Sequence, residues 1–216
     1  MSQPSCVCPN QRLTDIYSKR YVPESGVTLE EGWLLYSFVR VVQPEIVVET
    51  GRWKGLSLLW VAQALRDNDK AAKLYSFEPR PQGDNYYKDQ SWVYEYLFEM
   101  NCSSYGDDAI ALSGQLKEKI GLAFIDGDHT GEGVKHDFLL WLMGLREGGV
   151  GVLHDATRSA KGLCVWSMTL SFLEGTWREF GTNVFEVLTF PHEMGYKSGG
   201  PHDNGLCIIR KAVSLV

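Results

Sequence analysis

Two short stretches of this chain run out of apolar residues into side chains that can do chemistry. Leu122-Ala123-Phe124-Ile125-Asp126-Gly127-Asp128-His129 closes on two carboxylates and an imidazole, and Val152-Leu153-His154-Asp155 closes on an imidazole and a carboxylate. In an open α/β sheet the carboxyl ends of neighbouring strands line the ligand crevice. Acidic and His side chains delivered there by two strands can converge on one hard cation, which prefers oxygen ligands and keeps water positions open. An Asp after a strand is also a routine helix cap. Two such clusters at equivalent strand ends favour a site over a pair of caps.

A third stretch, Ile46-Val47-Val48-Glu49-Thr50-Gly51-Arg52-Trp53-Lys54-Gly55-Leu56-Ser57, feeds a β-branched run into a turn with glycines at 51 and 55. Apolar residues at helical spacing follow from Leu56 to Leu65, so the glycines sit where a strand becomes a helix. Glycine there lets backbone approach a ligand without an intervening Cβ, and the helix start supplies unpaired N–H groups. The pattern is E-x-G-x-x-x-G, not G-x-G-x-x-G, which points away from a pyrophosphate ligand. Glu78 ends the next apolar run, Leu74-Tyr75-Ser76-Phe77-Glu78. A carboxylate at that strand end is placed to accept hydrogen bonds from both hydroxyls of a ribose.

These side chains need a scaffold, and the rest of the chain describes one. Thr28 followed by Glu31 forms a capping box, and Leu34, Leu35, Phe38, Val39 and Val42 continue at helical spacing before Pro44. The pattern then predicts strand Ile46–Glu49, helix Leu56–Leu65, strand Lys73–Glu78, a long polar and aromatic segment, strand Ala109–Ser113 and, after a short helix, strand Leu122–Asp126. Helix Gly133–Leu145, strand Val150–His154, helix Leu163–Leu173 and two late strands near Val184–Phe190 and Leu206–Lys211 complete the order. Alternating β and α predicts a mostly parallel, doubly wound sheet with helices on both faces. The last two strands have only a Gly- and Pro-rich loop between them and should pair antiparallel. The segment Arg80 to Asp108, with Trp92, Tyr94, Tyr96, Leu97, Phe98 and Met100 in a partly helical pattern, reads as a helix packing its aromatic side on the sheet, with a lid as the minority reading. Residues 1–27 read as a polar leader and 28–216 as one domain.

Composition narrows the partners. The chain has 216 residues, 44% hydrophobic and 22% charged, which suits one ordinary domain with a three-layer core. Its net charge of −6 includes no basic block, so nucleic acid is not expected as a partner. No apolar run approaches the roughly 20 residues that span a bilayer, so no membrane partner is expected either. The cysteines at 6, 8, 102, 164 and 207 are odd in number and dispersed, which implies reduced thiols and a cytoplasmic protein.

Taken together, ETGRWKGLS, the acidic end at SFEP, FIDGDHTGEGVKHDF and GGVGVLHDAT resemble the class I S-adenosylmethionine (SAM)-dependent methyltransferases. The closer likeness is to a small-molecule O-methyltransferase branch with an I-D-G-D-H motif, over roughly residues 28 to 211. The resemblance implies a Rossmann-like, seven-stranded sheet with its last strand antiparallel. It implies that Glu49, Gly51 and Gly55 form the cofactor turn with Ser57 just beyond, that Glu78 holds the ribose, that Ser113 flanks the adenine and that Asp126 also lies at the cofactor. It further implies that Asp126 and Asp155 bind a divalent cation, magnesium, as the acids ending the fourth and fifth strands do in metal-dependent relatives.

The sequence departs from those relatives at two places. Gly131 stands where Tyr is common and Ala156 where an Asn ligand is found, so His154 or Asp128 is left to complete the metal set. The expected reaction is transfer of a methyl group to an oxygen of a small hydroxylated acceptor, with His129 the first and His154 the second candidate base, because imidazole titrates near neutral pH. His136 is expected to be a surface or packed residue, and His192 and His202 solvated loop residues. The rival expectation is a cofactor-binding or regulatory protein that keeps the fold without catalysis. A nucleic-acid or protein methylase is disfavoured by the missing basic patch and the absence of a [DNS]-P-P-[YFW] motif. Whether the protein is a homo-oligomer stays open.

Overall fold

In the computed structural model the chain is described at residues 26–83, 85–156, 169, 171, 174, 185–190 and 205–212. The first element among these residues is helix α1 (Leu29–Val42), started by the capping box: the Thr28 hydroxyl accepts from the Glu31 N–H and the Glu31 carboxylate accepts from the Thr28 N–H. Gln43, at φ 46°, closes it just before Pro44. Strand β1 (Ile46–Thr50), helix α2 (Leu56–Asn68) and strand β2 (Lys73–Phe77) follow as the periodicity predicts. Next come a 3₁₀ turn (Ser91–Glu95), strand β3 (Leu97–Met100), helix α3 (Asp107–Leu116) and strand β4 (Ile120–Ile125). Helix α4 (Gly131–Asp137) runs on into a π-helical turn (Phe138–Leu142), followed by β5 (Leu145–Leu153), β6 (Phe185–Phe190) and β7 (Leu206–Lys211).

The seven strands form one sheet in the order β3-β2-β1-β4-β5-β7-β6. The first five are parallel, and β7 alone runs against its neighbours β5 and β6. Strand order therefore reverses between β1 and β4, and in such sheets the crevice lies beyond the carboxyl ends of those two strands. Alternate residues feed two cores. Val47, Leu122, Phe124, Val150 and Val152 pack on the side of α1 and α2, whereas Val48, Ala123, Ile125 and Leu153 pack on the side of α3 and α4. All six residues of β4 are buried, as its unbroken apolar run requires. Among the described residues no helix is long and apolar enough to cross a membrane.

The largest correction concerns the strand expected at Ala109–Ser113, which lies inside α3. Asp107 and Asp108 occupy its first turn, where acids favour a helix start, and Ala109 and Leu116 bury at helical spacing. The missing strand is β3, hidden in the aromatic segment that reads as helical. It is an edge strand whose burial alternates poorly, and its stability comes from pairing with β2 from Leu74↔Leu97 to Phe77↔Met100. A short edge strand carries little periodic signal of its own. Element ends also move by a few residues: β5 starts at Leu145, five residues before the expected Val150, across a register shift opposite Ile120 and Leu122. The helix expected over Leu163–Leu173 lies outside the described residues apart from Thr169 and Ser171, and so do His192, His202, Cys6, Cys8 and Cys164. Cys102 and Cys207 are free thiols.

Candidate functional site

A cavity of about 1080 Å³ opens at the carboxyl ends of β1, β2, β4 and β5. On one side the chain leaves β1 and turns at Gly51, at φ 80°; a Cβ there would lie 1.9 Å from the Asp126 carbonyl oxygen, so no other residue lets the two strand ends approach this closely. The N–H groups of Gly51 and Arg52 both donate to the Phe77 carbonyl at 3.0 Å, tying the turn to β2. The Arg52 side chain is buried and donates to the Ser76 carbonyl and to Asn101 Oδ1, which ties it to β2 and to the loop after β3. Glu78 faces the cavity with both carboxylate oxygens engaged, Oε2 by the Trp53 N–H at 2.8 Å and Oε1 by the Arg80 N–H at 2.9 Å. Each oxygen keeps a second lone pair for a ligand hydroxyl.

The other expected cofactor residues are placed differently. Glu49 is fully buried beneath the turn, accepting from the Ser57 hydroxyl at 2.6 Å and from the Ser76 hydroxyl. Burial pushes its carboxyl above the usual range, against the two hydroxyls and Arg52. Glu49 and Ser57 thus meet each other under the turn and do not line the cavity. Gly55 caps α2 at φ 77° with the Tyr87 ring pressed against it, and it too is away from the cavity wall. Ser113 sits on α3, its hydroxyl donating to the Ile110 carbonyl, and it does not reach the cavity; Ser103, Ser104 and Tyr105, after β3, form that wall. The displacement has the same cause as the strand correction, since the loop after β3 begins earlier than the pattern suggests.

Across the cavity, β4 and β5 deliver the second group. His154 Nδ1 lies 3.1 Å from Asp126 Oδ1 and 3.6 Å from Asp155 Oδ2. His129, with 42% of its side chain exposed, places Nε2 3.3 Å from Asp126 Oδ1 and Nδ1 3.5 Å from Asp155 Oδ2. Burial alone would raise the Asp126 carboxyl, but the charge of His154 and the hydrogen bonds from both imidazoles bring it down to about 2. His129 is raised above its ordinary value, first by the Asp126 hydrogen bond. His154 is raised well above it: burial opposes its charge, and Asp126, Asp155 and Glu31 more than offset that. One ligand atom from each of Asp126, His154 and Asp155 lies within 4.8 Å of the others. Asp128, the other alternative for a third ligand, accepts from the Tyr105 hydroxyl and the Thr130 N–H at 2.9 Å each and lies outside that trio.

Two residues that sequence reading passed over hold this side in place. Asp137, buried on α4, accepts from the Thr50 hydroxyl at 3.0 Å and the Ser104 hydroxyl at 2.7 Å, joining the end of β1 to the loop after β3 beneath Gly127. Burial outweighs those hydroxyls and pushes its carboxyl up to about 6. Glu31, on α1, reaches His154 Nε2 at 3.3 Å. The capping box announced Glu31 as a helix start, and nothing in local spacing connects it to a residue 123 positions away. His136 is half-buried and stacks on the Tyr105 ring, centroids 5.1 Å apart, in keeping with a packed residue.

The profile of a family described as a methyltransferase domain matches residues 48–156, which spans the glycine turn, Glu78 and both carboxylate clusters. Among curated proteins none matches this chain. Solved structures share its fold at low identity. The O-methyltransferase TomG from Streptomyces achromogenes, involved in tomaymycin synthesis and solved with SAM, is 14% identical with a TM-score of 0.64, over 98% of this chain and 92% of that one. An O-methyltransferase from Bacillus cereus solved with S-adenosylhomocysteine (SAH) is 15% identical with a TM-score of 0.66, over 98% and 93%. An rRNA methylase from Streptococcus thermophilus is also similar, at 15% identity and a TM-score of 0.60 over 83% and 95%, so the shared fold does not by itself select the acceptor.

Proposed function

This chain belongs to the methyltransferase-domain family, and from that premise we propose that it moves the methyl group of SAM to an oxygen of a small hydroxylated acceptor with the help of magnesium. The observation that carries this reading is that Glu78 and the Asp126, His154 and Asp155 group open on one cavity of about 1080 Å³, large enough for a nucleoside cofactor and an acceptor side by side. A carboxylate already fixed by two backbone donors suits the paired hydroxyls of a ribose. Two carboxylates and one imidazole suit a divalent cation with open positions. The O-methyltransferases among the structural neighbours support oxygen as the acceptor atom.

In this reading the chain's own residues take the following parts. Gly51 and Glu78 bind and orient the cofactor, and Trp53, Phe77 and Tyr105 narrow the cavity and exclude water from the reacting centre. Asp126, His154 and Asp155 would hold the cation, which when bound acts as a Lewis acid that lowers the pKa of an acceptor hydroxyl. His129 takes the acceptor proton at Nδ1, whose 3.5 Å approach to Asp155 is the looser of its two contacts. The free thiols of Cys102 and Cys207 suit a reducing cytoplasm.

The test is a calorimetric titration with SAH followed by turnover assays over a panel of hydroxylated acceptors with magnesium present. SAH binding together with methylation of at least one acceptor oxygen is expected. SAH binding with no turnover on any acceptor would favour the non-catalytic alternative.

A further inference from the structure

The imidazole of His154 is gripped from both edges, one by the site and the other by helix α1. Its Nδ1 edge faces Asp126 and Asp155 at 3.1 and 3.6 Å, and its Nε2 edge faces Glu31 at 3.3 Å. The ring is only 3% exposed, with Phe124 set edge-on to it at 6.0 Å between centroids. We propose that Glu31 is a positioning residue for the metal site: the capping-box carboxylate of α1 holds the Nε2 edge of His154 so that Nδ1 is the atom presented to the cation. The proposal rests on the divalent-cation reading above.

Three observations carry it. A capping-box glutamate ordinarily needs only its own helix start, yet Glu31 is buried, 7% exposed, and turned toward a residue on the opposite side of the chain order. Its position is fixed independently of His154, because the same Oε2 accepts the Thr28 N–H at 2.8 Å. A neutral imidazole that offers one ring nitrogen as a ligand carries its single proton on the other, and an acceptor at that other nitrogen selects the tautomer and the ring orientation. Glu31 is that acceptor, and it lies on the edge away from Asp126 and Asp155.

The test is Mn²⁺ binding to the purified full chain, followed by the electron paramagnetic resonance signal of the free ion, for wild type, Glu31→Ala, Glu31→Asp, Glu31→Gln and Thr28→Ala, with each variant's fold checked by circular dichroism melting. Glu31→Ala and Glu31→Asp are expected to weaken Mn²⁺ binding by about 10- to 100-fold, the usual effect of losing a partner behind a metal-bound imidazole. Glu31→Gln keeps an oxygen for both donors and should retain most of the affinity. Thr28→Ala removes the reciprocal half of the cap and should lower the melting temperature while leaving Mn²⁺ affinity intact. Should Glu31→Ala not fold, the Asp and Gln variants give the same comparison. Affinity in the Ala and Asp variants equal to or tighter than wild type overturns the positioning role and leaves the metal site standing. Loss in Thr28→Ala as large as in Glu31→Ala also overturns it, assigning the effect to the helix start. Absence of Mn²⁺ binding by wild type overturns both this proposal and the metal reading beneath it.

Discussion

The two sides of the cavity are held together by different kinds of bond. Around the glycine turn, carboxylates meet neutral donors at ordinary hydrogen-bonding distance: Glu49 with the Ser57 hydroxyl at 2.6 Å, Glu78 with two backbone N–H groups at 2.8 and 2.9 Å. Around Asp126 the contacts are between carboxylates and imidazoles and longer, from 3.1 to 3.6 Å, with His129 and His154 sharing Asp126 and Asp155 between them. The first side has its donors spent inside the protein and is a preformed mould, which costs little to organise when a ligand arrives. The second side has more acceptor oxygens than donors to satisfy them and coordinates only loosely through its imidazoles. A cation would complete the second side and has no place on the first.

Substitutions on the loose side should have the larger effect on chemistry. Asp126→Ala or Asp155→Ala is expected to cost roughly 100- to 1000-fold in methyl-transfer rate and to abolish its dependence on magnesium, the Lewis acid contribution being several kcal/mol. Circular dichroism should show the fold retained, since both side chains face the cavity. His129→Gln should slow the chemical step by roughly 100-fold. Single-turnover rates across pH would check this, with His136→Gln, whose ring stacks on Tyr105 and hydrogen-bonds the Glu132 carbonyl at 2.7 Å, as the variant that changes little. A wild-type rate and pH profile in His129→Gln would move proton removal to His154 or to the cation alone.

On the preformed side the sequence pattern brings Gly51 and Glu78 to the cavity but not Glu49, Gly55, Ser57 or Ser113, and on the loose side it brings all four strand-end residues there but not the residues that support them. Gly51 and Glu78 were readable because a strand, a tight turn and a helix start impose their chemistry locally, within the reach of a motif. Asp126, His129, His154 and Asp155 were readable as strand-end clusters, since β4 and β5 are buried runs that stop abruptly. What was not legible depends on pairing across the fold. Glu31 belongs to a helix-cap pattern and gains its second role only because α1 packs where β5 ends. Asp137 follows a histidine on a helix and gains its role because Thr50 and Ser104 arrive beside it. The edge strand β3 went unread because its partner β2, not its own residues, makes it a strand, and Ser113 was misassigned with it.

Smaller effects are expected from the preformed side and its support. Glu78→Ala should weaken SAH binding at least about tenfold in a calorimetric titration, a hydrogen bond to a charged group being worth roughly 1.5 to 3 kcal/mol. Identical SAH isotherms for wild type and variant would remove Glu78 from the cofactor site. Asp137→Asn should act on stability and its pH dependence. The folded carboxyl is raised from 3.8 to about 6, so its favourable contribution is complete below pH 4 and is lost as pH rises through about 6. At pH 7.5 the Asn variant is therefore expected to be the more stable protein, by up to roughly 3 kcal/mol, an advantage that shrinks toward pH 4. Denaturant melts at the two pH values check the sign, and a variant less stable than wild type at both would show that the carboxylate form is what holds Thr50 and Ser104.

A cation-completed side working against a preformed cofactor side makes methyl transfer metal-dependent, and its rate with and without a chelator reads that dependence. The protein is assayed with isotopically labelled SAM and an acceptor identified from the panel, in buffer stripped of divalent ions by excess chelator and again after magnesium or manganese is restored. SAH binding is expected in both conditions, labelled product only with the metal present, and recovery of the full rate when the metal is returned. Undiminished product formation in excess chelator would contradict that dependence.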